Sequence, residues 1–516
     1  MSSTARALIA CQDVMEEIFV HLTPVWDVSV DDPALTRAYR RKQRCALLAC
    51  ATASRAISTY AISALWRVLD DLTLLLKLMP SVRGNPLHLH DTHIDDTEWN
   101  TLQSYAQLVR ELKYTEPRPK VHYSMWRILA QKLKGEPLLP RLQRLEVSAA
   151  PPDPSAGLLV ISPSIQSLRV YAARYGEYAV NSDGTTLLNA LFVALCSGGT
   201  EVPPILAGAT PTVTRHLQSM GRLAHLQAID VFEYGAVMHY STMQALSTLE
   251  NLRSLGVWVN FQDADSLMPS QEGFEALESF TVRGELDHVY QAIQMAGSPR
   301  LRKLGIAPTM KADVGEFRTF LAGVQRAIPS ELSTLQLYPG FTATSAPLSL
   351  SSILEPLCTL RHLRELSCQF YTYPKDPSAE DIAAIATAWP DLRSLCIVYY
   401  EEKPYAREPI PFSALIDLAE RCPSLQSIAL TNIDIRLQSP PSSVPRLEQS
   451  CVGYLQLDNV IGALDADLLA LALVVERLFP NLRMPRYIRY DVTSLPLWER
   501  VLHIVAGIQA ARRMSH

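Results

Sequence analysis

The chain has 516 residues, 48% of them hydrophobic and 19% charged, which supplies ample material for a folded core and excludes a disordered chain. Its 47 Lys and Arg against 52 Asp and Glu leave a formal charge of -5, which argues against nucleic acid as the main partner, because neutralising phosphates takes a clustered basic surface. Nine cysteines without a C-x-x-C pair suit buried thiols in a reducing compartment better than a disulfide framework.

The first segment has no basic region followed by an apolar run and turns acidic at Asp13, Glu16 and Glu17, so it does not read as a signal peptide. Val14, Ile18 and Leu22 recur at four-residue spacing with Met15 and Phe19 beside them, which predicts a short amphipathic helix ended by Thr23-Pro24. Asp32-Pro33 then reads as an N-cap with proline at the first helical position. The helical pattern continues through Leu47, Leu48 and Ala51 to Ile57, and a third helix carries Ile62, Leu65 and Trp66. The basic run Arg37 to Arg44 reads as a solvated helix face.

Residues 71 to 105 connect this segment to the rest: a helix over Leu72 to Met79 closed by Pro80, then an edge strand at Leu87-His-Leu89. Here lies a metal-like cluster, His88, His90, Asp91, His93, Asp95 and Asp96. Imidazoles and carboxylates this close have the chemistry to hold zinc, and their spacing resembles the H-x-H-x-D-H loop of metallo-β-lactamase-like hydrolases. Thr92 stands where that loop needs Asp, however, so chance polar residues on a strand and its turn are the preferred reading. No glycine-rich phosphate loop, H-E-x-x-H or G-x-S-x-G is present. The chain therefore reads as non-catalytic, with no cofactor.

From there a six-residue phrase recurs almost to the end. It includes Leu142-Gln-Arg-Leu145-Glu-Val147, Ile165 to Val170, Leu226 to Val231, Leu252 to Val257, Leu277 to Val282 and Leu301 to Ile306. It continues at Leu332 to Leu337, Leu363 to Cys368, Leu392 to Ile397 and Leu425 to Leu430, with Val109 to Tyr114 a degenerate first copy. Apolar residues at the fourth and sixth places follow the period of a half-buried strand. Between phrases there is room for one amphipathic helix, as at 312–328, 379–389 and 412–422, and Pro140, Pro163, Pro299, Pro390 and Pro423 stop each helix before the next strand.

One strand and one helix cannot bury their own apolar faces, so the units must stack into a solenoid. Strands stack at about 4.8 Å and helices at roughly 8 to 10 Å, which bends the stack into a horseshoe with strands inside. The interval from Val170 to Leu226 holds an insertion or a decayed repeat. Past Leu447 the register is open, with Val452 to Leu457 as one possible strand. The tail after Pro496 reads as a closing helix.

Within the phrase, the place before the sixth reads Glu146, Arg169, Asp230, Gly256, Thr281, Gly305, Gln336, Ser367, Cys396 and Ala429, so the hollow's middle is expected to be mainly small and uncharged. Just after the strands aromatic residues gather, among them Tyr171, Phe232, Trp258, Phe261, Tyr338, Phe370 and Tyr399. They serve either as a rim that binds substrate, with Tyr171, Phe232, Trp258 and Tyr338 as its residues, or as filling for the edge of the core.

The phrase resembles the leucine-rich-repeat family in the irregular, long-repeat form found in F-box proteins. The N-terminal run from Ile9 to Leu22, Cys45 to Arg55 and Ala64-Leu-Trp66-Arg67 resembles an F-box, closest to those abundant in mushroom-forming fungi, without the family's opening Leu-Pro and with residues 25 to 43 lengthening the first connection. The implied fold is α/β: an all-α F-box-like domain at 1–70, a connector at 71–105, a repeat solenoid at 106–485 and a capping helix at 486–516. The resemblance implies an adaptor that docks a Skp1-like linker, and through it a cullin ubiquitin ligase, while the repeats hold a protein substrate. Val14, Ile18, Leu22, Leu48 and Cys50 are the linker-binding residues it implies, in the cytoplasm or nucleus, with no membrane. The alternatives are a repeat scaffold without ligase engagement and, more remotely, a metal-dependent hydrolase using His88, His90 and His93.

Overall fold

The computed structural model describes residues 11–23, 33–89, 94–114, 121–148, 159–171, 223–231, 237–261, 273–341, 348–371, 377–399, 409–436, 450–458, 460–462, 468–483 and 497–514, with single positions at 192, 196, 444, 446 and 447. They belong to two compact units, Met1–Leu252 and Arg253–His516.

In the first unit, helices α1 (Gln12–Leu22), α2 (Pro33–Ala53) and α3 (Arg55–Arg67) enclose a cluster of Met15, Phe19, Leu47, Ala61 and Ala64. Thr23 ends α1 with the extended backbone expected of a residue before proline, and its hydroxyl donates to the Phe19 carbonyl at 3.0 Å. The second helix does not reach Ile57. It stops at Ala53 because Ser54 leaves the helical region, with φ -156°, and its hydroxyl accepts the Ala56 N–H at 3.3 Å to cap α3. Since α2 begins at Pro33, much of the supposed long connection over 25 to 43 is helix.

Helix α3 leads directly into β1 (Val68–Leu69), which pairs with β2 (Glu111–Tyr114). Sequence reading misses β1 because Asp71 stands where the phrase needs an apolar sixth residue. The parallel sheet of this unit continues through β3 (Arg144–Ser148), β4 (Ser167–Tyr171) and β5 (Ala228–Asp230), with phrase aligned on phrase. Strand β4 pairs directly with β5. Helices α4 (Asp96–Ala106), α5 (Tyr123–Leu133) and α6 (Tyr240–Ser247) belong to the same unit. The helix expected over Leu72 to Met79 shrinks to one turn, Thr73–Leu76, and His88–Leu89 pairs antiparallel with Val82–Arg83.

The second unit repeats one plan: β6 (Ser254–Val259), β7 (Ser279–Gly284), β8 (Lys303–Pro308), β9 (Thr334–Leu337), β10 (Glu365–Phe370), β11 (Ser394–Tyr399), β12 (Ser427–Thr431) and β13 (Tyr454–Asp458) form a parallel sheet. Strand β13 settles the open register past Leu447. The helices are α7 (Leu286–Ala296), α8 (Val314–Ala327), α9 (Leu350–Leu354), α10 (Ala379–Ala388), α11 (Ser413–Arg421), α12 (Leu468–Leu478) and α13 (Leu497–Met514). Apolar residues at the first, fourth and sixth places of the phrase meet the helices; Leu332, Leu335 and Leu337 are each at most 2% exposed. Full burial of such a side chain contributes about 1.5–3 kcal/mol. The closing helix α13 buries Trp498, Val501 and Val505, and Arg512 donates to Glu476 of α12 at 2.7 Å.

The prolines have a more specific role than stopping helices. The N–H of the phrase's first residue donates to the carbonyl three residues back, as in Leu142 to Leu139, Leu301 to Ser298, Leu392 to Trp389 and Leu425 to Cys422, at 3.1 to 3.3 Å. Pro140, Pro299, Pro390 and Pro423 occupy the second position of these turns, where a preset φ favours closure. The residue that opens the turn is buried, at 0% for Leu139 and 1% for Trp389 and Cys422. The second residue of each phrase then carries the backbone ladder onward: the Glu278 carbonyl accepts from both Arg302 and Lys303, at 2.8 and 3.0 Å.

Burial divides the cysteines. Cys11, Cys45 and Cys451 are exposed, whereas Cys196, Cys368 and Cys422 are buried. Burial pushes the Cys368 thiol far up and raises Cys422 to about 11. At pH 8 a thiol-alkylating reagent should modify the three exposed cysteines of the native protein and reach Cys368 and Cys422 only after unfolding, read by peptide mass. A raised folded pKa means that the native state holds its proton longer, so the stability these thiols contribute is intact below pH 9.0 and is lost as pH rises through about 11. A denaturation midpoint unchanged between pH 8 and 11 contradicts this.

Candidate docking surfaces

Helix α1 buries Met15 and Phe19, and the same turn-to-turn spacing places Val14, Ile18 and Leu22 on another face. These three are 40%, 40% and 41% exposed, and Leu48 on α2 is 55% exposed. An apolar stripe that the helices' own cluster leaves uncovered is the usual sign of a partner. Cys50 departs from this set: it is half-buried and packs against the Met15, Phe19 and Leu47 cluster. Val20 and Tyr39 are exposed as well, at 41% and 51%. Trp66 is half-buried and its ring lies 4.9 Å from that of Tyr105 on α4.

The described members of the metal-like cluster have other partners. Asp95 caps α4 by accepting the Thr97 N–H at 3.1 Å, and Asp96 pairs with Lys132 of α5 at 2.8 Å. His88 is exposed on its two-residue strand, with Nδ1 3.2 Å from the Pro86 carbonyl. His90, Asp91 and His93 lie outside the described residues.

On the sheet face away from the helices, the first unit contradicts the expectation of an uncharged middle. Register brings Lys113, Glu146, Arg169 and Asp230 side by side on β2 to β5. Lys113 lies 3.1 Å from Glu146, which Arg169 also meets at 3.2 Å, and Arg169 reaches Asp230 at 3.1 Å. Glu146 is 3% exposed, covered by the two cations that neutralise it. Opposite charges directly across strands stabilise the sheet, so these residues consume one another's charge. The alternation was present in the sequence, and only the register was needed to see it.

In the second unit the same row is Gly256, Thr281, Gly305, Gln336, Ser367, Cys396, Ala429 and Gln456, uncharged as expected. Gly305 keeps it low, since a Cβ there would stand 2.8 Å from Thr281.

The aromatic residues after the strands divide between rim and core. Phe370 and Phe261 are buried, at 2% and 4%. Phe341, which the strand pattern did not single out, links Phe317 at 5.5 Å to Phe370 at 6.2 Å, and Phe370 stacks on Tyr399 at 5.2 Å. These fill the edge of the core. Trp258 and Tyr338 are half-buried: the Arg283 guanidinium lies 4.6 Å above the Trp258 ring, and the Tyr338 hydroxyl donates to Gln336 at 3.4 Å. Both therefore present one side outward. Tyr371 is 56% exposed. Tyr171 is on β4, and Phe232 lies outside the described residues.

Among the described residues no helix is long and apolar enough to cross a membrane. No protein-family model matches the chain, and no curated protein matches it. Among solved structures, a protein of Bacteroides fragilis aligns at 12% identity over 58% of this chain and 68% of its own, with a TM-score of 0.28. A leucine-rich-repeat protein of Leptospira interrogans aligns at 12% identity over 80% of this chain and 98% of its own, with a TM-score of 0.29.

Proposed function

We propose that the chain is a non-catalytic adaptor in which the α1–α3 bundle acts as an F-box, docking a Skp1-like linker of a cullin ubiquitin ligase, and a leucine-rich-repeat sheet holds a protein substrate. The observation that carries this reading is the exposed stripe of Val14, Ile18, Leu22 and Leu48 beside a cluster closed without them. Such a device accelerates ubiquitin transfer by raising the local concentration of substrate near the transferring enzyme, which takes no chemistry from this chain. The decisive experiment is capture of purified Skp1 by the full chain: association at micromolar concentration is expected, and none would leave a repeat scaffold outside the ligase.

The substrate surface of this reading is the uncharged face of the second unit with Trp258 and Tyr338 at its edge. Half-buried aromatic residues beside a low, neutral strip suit a protein surface, where Trp and Tyr are preferred anchors. Alanine at both positions should weaken substrate capture about tenfold while the circular dichroism spectrum stays unchanged. Undiminished capture by a folded double variant would remove this edge from the substrate surface.

A further inference from the structure

The net charge of -5 conceals a separation. From Pro33 to Leu69 the chain carries Arg37, Arg40, Arg41, Lys42, Arg44, Arg55 and Arg67 and no Asp or Glu; with the flanking Asp31, Asp32, Asp70 and Asp71 counted, residues 31–71 are +3 (7 less 4) and the other residues together are -8 (-5 less +3). The sequence alone reads the basic run as a solvated face, but the structure gives it shape. Arg41, Arg44, Cys45 and Leu48 of α2, Leu65 of α3 and Asp70 beyond β1 line a cleft of about 430 Å³, within the range of ligand sites.

Its walls differ in chemistry. Asp70 holds Arg44 at 2.7 Å and lies 3.5 Å from Arg40, which fixes two guanidiniums along one side. Arg44 also donates towards the Val68 carbonyl at 3.5 Å. Arg41, by contrast, is exposed and meets no carboxylate among the described residues. Leu48 and Leu65 provide the apolar side, the first 55% exposed and the second packed on the helical cluster.

We infer that this cleft binds an acidic peptide segment of a partner protein, one that carries an aliphatic or aromatic side chain next to its carboxylates. The carboxylates pair with Arg41 and Arg44, whose planar forks suit them, and the apolar side chain rests on Leu48 and Leu65. A nucleic acid would match the charge but leave the leucines in contact with phosphate or sugar, so the mixed lining favours peptide. The inference goes beyond the ligase reading and shares only Leu48 with it; Arg41 is outside the proposed linker surface, so each can fail without the other.

The test uses the full chain and a fluorescent nine-residue peptide with a central leucine flanked by glutamates, followed by anisotropy. Saturable binding in the range of 10 to 100 µM is expected, weakening at least fivefold between 50 and 300 mM NaCl. Arg41→Glu should weaken it at least tenfold with an unchanged melting curve, and Leu48→Ser about fivefold. Equal binding of the glutamine version of the peptide, tighter binding of a single-stranded RNA oligonucleotide, or full affinity in the folded Arg41→Glu variant would each overturn the assignment.

Discussion

Replacing Ile18 by aspartate is expected to weaken capture of a Skp1-like linker at least 100-fold without lowering the melting temperature of the free protein. The two halves of that expectation have separate physical origins. In the free protein the side chain at 18 is 40% exposed and outside the cluster of Met15, Phe19 and Leu47, and substitutions at such positions usually change stability by less than about 0.5 kcal/mol. In the proposed linker complex the same side chain would sit among apolar neighbours, where a carboxylate desolvated without a partner costs several kcal/mol. A loss of 100-fold corresponds to about 2.7 kcal/mol. Leu48→Asp should behave alike. Cys50→Ser should reduce capture less than threefold, because Cys50 is half-buried against the cluster and is not part of the exposed stripe. Equal capture by wild type, Ile18→Asp and Leu48→Asp, measured by surface plasmon resonance with purified linker, would refute the docking surface.

What the sequence discloses about this molecule depends on the range of the interaction. The strand phrase was legible because its signal is local and repeated, and within each unit the copies pair with their neighbours in the register that the alignment of phrases implies. Helix limits at α8, α10 and α11 were legible from periodicity to within two residues. The break at Ser54 was missed because a capping hydroxyl leaves hydrophobic periodicity almost unaltered. Strand β1 was missed for the opposite reason: its pairing with β2 covers only Val68 and Leu69 and ends before Asp71, where the pattern demanded a hydrophobe. The charge ladder on Lys113, Glu146, Arg169 and Asp230 joins residues 117 positions apart at its ends, and composition at each place, taken separately, cannot show that neighbours cancel. For the aromatic residues, only burial could tell Phe370 in the core from Trp258 at the edge.

Removal of the Asp381 carboxylate is expected to be the most destructive single change among the polar residues of the second unit. The sequence offers no warning, since an acidic residue early in a helix is ordinarily solvated. Asp381 is 1% exposed. One oxygen accepts from the Ser378 N–H at 2.9 Å and its hydroxyl at 3.2 Å, completing a capping box on α10, because the Ser378 hydroxyl accepts the Asp381 N–H in return. The other accepts from the Ser351 N–H at 2.8 Å and hydroxyl at 2.6 Å, in the first turn of α9. A single negative charge thus satisfies the N-termini of two successive helices, where the backbone dipoles favour it.

Alanine at 381 would leave the Ser378 and Ser351 N–H groups without their acceptor, at a cost of about 3 kcal/mol. Asparagine keeps the size but supplies only one acceptor oxygen, so about 2 kcal/mol should be lost, whereas Ser378→Ala removes the reciprocal half of the box for roughly 1 kcal/mol. Amide hydrogen exchange across α9 and α10 reads these losses locally. If both helices exchanged in Asp381→Ala as slowly as in the wild type, the carboxylate would hold neither terminus. Faster exchange in α10 alone would show that the bridge to Ser351 contributes nothing. Faster exchange in both, in the order Ala, Asn, then the serine variant, is what a shared cap requires, since the two helices then depend on one side chain that belongs to only one of them.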